Sequence, residues 1–141
     1  MVLTLLFLFV ALTAILFYED IFFDEEMQSI EMRVSVVNGT KIGFAVEEGL
    51  NFGILPLGTR GRKIITLKNK EDRRVKAHLW TEGDITPFVE ISESTVLLEP
   101  QMNKDIEIAV HAKKVGNYTG VLKIKLIKPK QKLFEALLQW V

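Results

Sequence analysis

The sequence predicts an all-β domain, an antiparallel β-sandwich of about seven to nine short strands, behind an apolar N-terminal helix. Three observations carry this. Between Gly53 and Lys128 apolar and polar residues alternate at a spacing of two, as in Ile106-Glu107-Ile108 and Leu122-Lys123-Ile124-Lys125-Leu126. That is the period of a half-buried strand, whose successive side chains point to opposite faces. Breakers such as Gly83-Asp84, Pro100-Gln101-Met102-Asn103 and Val115-Gly116-Asn117 recur about every ten residues, the spacing of an antiparallel sandwich or barrel. Finally, no helical crossover of the kind that joins parallel strands interrupts residues 33–128.

In chain order, Val2 to Tyr18 is apolar except for Thr4 and Thr13. As a helix it covers roughly 26 Å, near the lower limit for a bilayer span. Residues 1–23 are therefore expected to be a transmembrane anchor. A cleaved signal peptide competes with that reading, but no Lys or Arg precedes the apolar run, and Ala11, Thr13 and Ala14 make a poor cleavage signature. Burial in a partner protein is the third reading. Ile21-Phe22-Phe23 is expected at the membrane interface, which favours aromatic rings. Residues 24–30 follow as an acidic stem.

Residues 31–128 are expected to form the sandwich. Glu31–Val37 and Lys41–Val46 would pair across Asn38-Gly39, a strong signal for a type I′ hairpin. Leu50–Leu55 follows, stopped by Pro56 and Gly58. Further strands are expected at Arg62–Lys68, Arg74–Thr81, Phe88–Ile91, Thr95–Leu98, Lys104–Ala112 and Tyr118–Ile127. Lys123 and Lys125 lie on the outward side of the last strand, where lysine would block edge-to-edge pairing. In residues 129–141, Leu133, Phe134, Leu137, Leu138 and Val141 fall at helical spacing. So short an amphipathic helix needs a surface to lie on. Lys128, Lys130 and Lys132 beside the apolar run favour an anionic membrane interface or a partner over the sandwich flank.

The 141 residues suit about one domain. The 18 basic residues balance 18 acidic ones, but all the basic residues lie at Arg33 or beyond, while Glu19, Asp20, Asp24, Glu25, Glu26 and Glu31 precede it. An acidic stem thus precedes a basic remainder. There is no cysteine, which excludes disulfides, thiolate nucleophiles and cysteine-ligated zinc.

No catalytic, cofactor-binding or metal-ligating residue is predicted, and no cofactor. His78 and His111 sit at polar parity without ligand spacing. Ser92 and Ser94 lack the glycine-flanked elbow of a nucleophilic serine. Glu82, Asp84, Glu90 and Glu93 do not follow a calcium-loop pattern. Gly58-Thr59-Arg60-Gly61-Arg62-Lys63 reads as a flexible basic turn. It lacks the end of a P-loop, and it lacks the interleaved aromatics that bind nucleic acid, so no nucleic-acid partner is expected. Asn38-Gly39-Thr40 and Asn117-Tyr118-Thr119 fit the N-glycosylation pattern in expected turns, making Asn38 and Asn117 candidate acceptors and favouring an outward-facing domain. The candidate interaction surface comprises Arg60, Arg62, Lys63, Lys123, Lys125, Leu133, Phe134, Leu137 and Trp140.

The succession Phe52-Gly53, Pro56-Leu57-Gly58, Ile65-Thr66-Leu67-Lys68-Asn69, Val96-Leu97-Leu98-Glu99-Pro100 and Gly116-Asn117-Tyr118-Thr119-Gly120 resembles the Ig-like domains of the hydin and major-sperm-protein type. It is similar also to sandwiches appended to bacterial and archaeal surface proteins. The resemblance covers about residues 51–128. It implies a seven-stranded Ig-like sandwich used for binding or spacing, without an active site. By that analogy Trp80 belongs in or near the core, although its parity with Lys76 points outward. The expected function is a membrane-anchored, non-catalytic binding or structural protein of the cell envelope. Its helix would meet membrane lipid, and its outward domain an envelope or membrane protein, or a glycan. An alternative is a small accessory subunit of a membrane complex, similar in plan to archaellar stator proteins and signal-peptidase accessory subunits. A carbohydrate-active enzyme is the remaining alternative.

Overall fold

A computed structural model describes residues 2–17, 22–39 and 49–141. One α-helix, α1 (Val2–Leu16), precedes eight strands: β1 (Phe23–Val37), β2 (Leu50–Pro56), β3 (Arg60–Lys68), β4 (Val75–Gly83), β5 (Val89–Ile91), β6 (Thr95–Leu98), β7 (Asn103–His111) and β8 (Gly116–Pro129). Short 3₁₀ helices cover Thr86–Phe88 and Lys132–Trp140.

The strands form two sheets, in the orders β2-β1-β8-β4-β6 and β3-β7-β5. They share one apolar core. Met32, Val34, Val36, Ala77, Leu79, Val96, Leu98, Leu122 and Ile124 from the larger sheet meet Leu67, Ile106, Ile108 and Val110 from the smaller. The fold is thus all-β with two sheets, as the alternation predicts, and the expected strands after Leu50 are present with ends displaced by a few residues. The exposed outward residues between the buried ones are what alternation at period two requires.

Two expectations about the first strand need correction. Residues 24–30 are not a stem. They are the first half of β1, paired continuously with β8 from Phe23↔Pro129 to Val36↔Gly116. The acids Asp24, Glu25 and Glu26 hide this strand in the sequence, but Lys130, Lys125 and Lys128 on β8 and just beyond it face them across the register. The type I′ turn is absent too. It needs positive φ at both central residues, whereas Gln101 is the only non-glycine residue with positive φ among those described. The expected partner strand Lys41–Val46 lies outside the described residues. β1 is flanked over 32–36 by β8 on one side and by β2, in parallel, on the other. A parallel pair needs a connection of about a dozen residues, and residues 38–49 lie between these two strands.

The last strand is not an edge. β8 lies at the centre of its sheet between β1 and β4, so Lys123 and Lys125 do not guard an edge.

The long β1–β8 ribbon buries opposite faces at its two ends. At one end Met32, Leu122 and Ile124 turn inward to the sandwich core. At the other, Phe23 and Ile127, of opposite parity, are buried on the outer face under Leu138 of the C-terminal 3₁₀ helix. The anchoring is local and specific: Phe22 and Phe134 meet edge to face at 4.8 Å, and Lys130 N donates to Phe22 O at 2.9 Å. Arg73 Nη1 donates to the carbonyls of Pro129 and Lys130. Lys76 Nζ donates to Leu138 O at 3.1 Å and also to Val141 O.

The segment is therefore docked on its own sheet, against the expectation of a membrane or partner site for the whole of it. It also winds with three residues per turn rather than 3.6. The row Glu135, Leu138, Val141 faces the sheet, Phe134 and Leu137 flank it, and Leu133, Ala136 and Gln139 face solvent. Helical spacing had placed Leu133 with the buried stripe.

Candidate interaction surfaces

The charged residues singled out as a basic surface do not form one. Arg60 and Arg62 project from β3 on the smaller sheet, and Lys123 and Lys125 from β8 on the larger. The expected basic turn is mostly strand, since β3 begins at Arg60. Lys63 has the parity of Ile65 and Leu67 and is half-buried. Acids neutralise several of the others. Glu107 lies 3.3 Å from Arg60 and 3.8 Å from Arg62. Glu90 lies 3.5 Å from Arg60, and its Oε2 is 2.7 Å from His111 Nε2. The His111 hydrogen bond, then the Arg60 charge, hold the Glu90 carboxyl below its usual range. Lys125 meets Glu25 at 2.6 Å.

Lys128 joins Glu26 at 2.6 Å and Glu71 at 3.4 Å. The hydrogen bond lowers the Glu26 pKa and raises that of Lys128. With Lys130 lying 3.9 Å from Asp24, two lysines of the run Lys128, Lys130, Lys132 already face acids. The run gives little reason for a preference for anionic lipid.

Trp80 lies on the outer face of the larger sheet, half-buried, with Nε1 donating to Glu82 at 3.0 Å. Its parity with Lys76 gives the face it lies on, and the expectation of a position in or near the core is met only in its nearer form: Trp80 is half-buried, outside the core. His78 is beside it on the same face, with Nδ1 3.0 Å from Thr95 Oγ1. Burial first, then the charges of Lys76 and Lys125, push the His78 pKa below its ordinary value.

Of the acids near the Gly83 turn, Asp84 accepts from Thr119 N at 2.7 Å and Glu93 pairs with Lys104 at 2.7 Å. No group of three or more His, Asp or Glu side chains arranged to hold a metal exists among the described residues. Two hollows lie on the sandwich. One, about 300 Å³, is beside Arg74, Lys76, Leu97 and Gln139. The other, about 260 Å³, is beside Glu26, Asn69, Lys70 and Lys128. Both are at the small end for a ligand site.

Asn38 and Asn117 are exposed at the same end of the β1–β8 ladder, where Ser35 pairs with Asn117. Asn117 is the second residue of β8 rather than part of a turn.

Asn69, the last residue of the run Ile65-Thr66-Leu67-Lys68-Asn69, has a role that its place in the sequence does not announce. Asn69 is 4 % exposed. Its Nδ2 donates to Arg73 O, Leu98 O and Glu99 O at 2.8, 3.0 and 2.9 Å, and its Oδ1 accepts from Glu71 N at 3.0 Å. It ties the 70–73 turn to the end of β6. An amide after a strand carries no sequence signal for that role.

The largest apolar surface belongs to α1. Leu3, Leu5, Leu6, Phe7, Leu8, Phe9, Val10, Leu12 and Ile15 are all more than half exposed, Leu3 by 82 %. A helix apolar on every side has no polar face for water. Yet α1 has 15 residues, about 22 Å at ~1.5 Å per residue, against ~30 Å of bilayer hydrocarbon. Among the described residues no helix is long and apolar enough to cross a membrane.

On the C-terminal segment, Leu133 is 80 % and Trp140 76 % exposed, whereas Phe134 and Leu137 are half-buried against the sheet. The four residues singled out there thus divide into two that dock and two that remain available.

Comparison with protein-family models, with curated proteins and with solved structures finds no match.

Proposed function

We propose that the chain is a membrane-attached, non-catalytic binding or structural protein whose Ig-like sandwich is presented outside the membrane, at the cell envelope. The observation that supports this is α1, whose large apolar side chains from Leu3 to Ile15 are more than half exposed. Such a surface stays in water only at great cost, about 25 cal/mol per Å². Lipid covers it without a matching groove. A helix shorter than the bilayer is accommodated by local thinning or by association with other helices. The paired charges of the sandwich suit a spacer or a protein-binding module better than a receptor for polyanions.

The length of α1 favours a second reading, that of an accessory subunit of a membrane complex. There α1 would pack against partner helices, with Ala11 and Ala14 as the small residues that let backbones approach. Purification of the full chain in mild detergent separates the two readings. A neighbour at fixed stoichiometry supports the subunit, and the chain alone with lipid supports the self-standing module. Recovery of the chain from the aqueous fraction without detergent would sink both.

A further inference from the structure

The C-terminal 3₁₀ helix is tied to the end of the ribbon from which α1 departs. Phe17, at the end of α1, and Phe22 are separated by residues 18–21, so five Cα–Cα steps span at most about 18 Å. Phe22 in turn touches Phe134, with ring centroids 4.8 Å apart. Chain connectivity alone therefore keeps this segment near the end of α1. There it carries two large apolar side chains that the sandwich leaves uncovered, Leu133 and Trp140, exposed by 80 % and 76 %. Between them run Leu137 and Leu138, which hold the segment to the sheet. A docked segment with a bare leucine and tryptophan, within a short connection of an apolar helix, has the composition of a membrane-interface element, where tryptophan is enriched. The bases there already face acids: Lys128 with Glu26 and Glu71, Lys130 with Asp24.

We infer that this segment is a lipid-facing collar: Leu133 and Trp140 enter the headgroup layer of the bilayer that holds α1, by apolar burial and not by attraction to anionic lipid. The inference rests on α1 being in lipid, and the test keeps the two apart. The full chain carrying Trp80→Phe, so that Trp140 alone reports, is reconstituted into phosphatidylcholine vesicles brominated at shallow acyl positions. The expected result is loss of Trp140 emission, equal with and without added anionic lipid. In parallel, Leu133→Cys, the only cysteine of its chain, is labelled with an environment-sensitive dye. The expected result is a blue shift on reconstitution. Unquenched Trp140 and an unshifted dye, in a chain that still resists alkaline extraction, would overturn the collar and leave the anchor standing. Quenching that appears only with anionic lipid would overturn the apolar mechanism. A chain released by alkaline extraction would overturn the anchor and the collar with it.

Discussion

Asn69 shows how much one side chain can hold. Replacing it by Ala strips donors from three carbonyls and an acceptor from Glu71 N at a site only 4 % exposed. The expected loss is about 1–3 kcal/mol. Denaturant unfolding measures it, and a change within error would mean the 70–73 turn is held by other contacts. His78 gives a pH signature. Its pKa in the fold is lowered, so the unfolded chain takes up a proton more readily. The fold's preference for neutral His78 is fully in force above the ordinary value of 6.5 and is lost as pH falls from there through the lowered one. Melting followed from pH 7.5 to 5 should show a decline that His78→Gln flattens, within the usual range of histidine titration at about 6.5. Parallel declines in both proteins would remove His78 as the cause. Gly120 is constrained by geometry instead: an added Cβ would lie 2.3 Å from Glu82 O and 2.5 Å from Ile85 Cγ2, where β8 meets β4 at Gly83.

At the scale of elements, the C-terminal 3₁₀ helix is the clearest case of a gap between pattern and packing. Removing residues 131–141 uncovers Phe23 and Ile127 and the aromatic pair at Phe22. In detergent the shortened chain should melt about 5 °C below the full chain, the shift that a net loss of about 1 kcal/mol gives a domain of this size. Unchanged melting would mean that docking contributes nothing. The strands from β2 onward were legible because burial on one face of a pleated strand imposes alternation. The first half of β1 was not, because its outer residues are acids balanced across the ladder by lysines, and composition there reads as solvated chain. The parallel β1–β2 pair was not legible either, since alternation tells which face is buried but not which neighbour lies alongside. Leu133, Phe134, Leu137 and Leu138 gave the segment's amphipathic character, but a helix read at 3.6 residues per turn assigns Leu133 to the wrong side of a helix that turns every three. Of the surface residues, Arg60 and Arg62 were correctly exposed, but the acids that neutralise them come from strands distant in sequence. Spacing along the chain cannot reveal that.

On the scale of the whole molecule, a two-sheet body is extended by the β1–β8 ribbon, whose Phe23 end carries the docked C-terminal segment and is joined to α1 by a short connection. Placing single cysteines at Asn38 and at Asn117 tests the outward orientation, because both are exposed and the chain has none of its own. Both should react with a membrane-impermeant maleimide in intact cells. Reaction only after lysis would put the sandwich inside and remove the glycosylation argument. The central claim is that α1 holds the body to lipid, and alkaline extraction of membranes from cells making the full chain tests it most directly. Leu8→Arg serves as the comparison, since it places a charge mid-helix at a cost of about 3 kcal/mol in hydrocarbon and Leu8 is in neither apolar cluster of the sandwich. The unaltered chain should stay with the membrane pellet, and the Leu8→Arg chain should be released with an unchanged melting temperature. Release of both chains alike would contradict the claim.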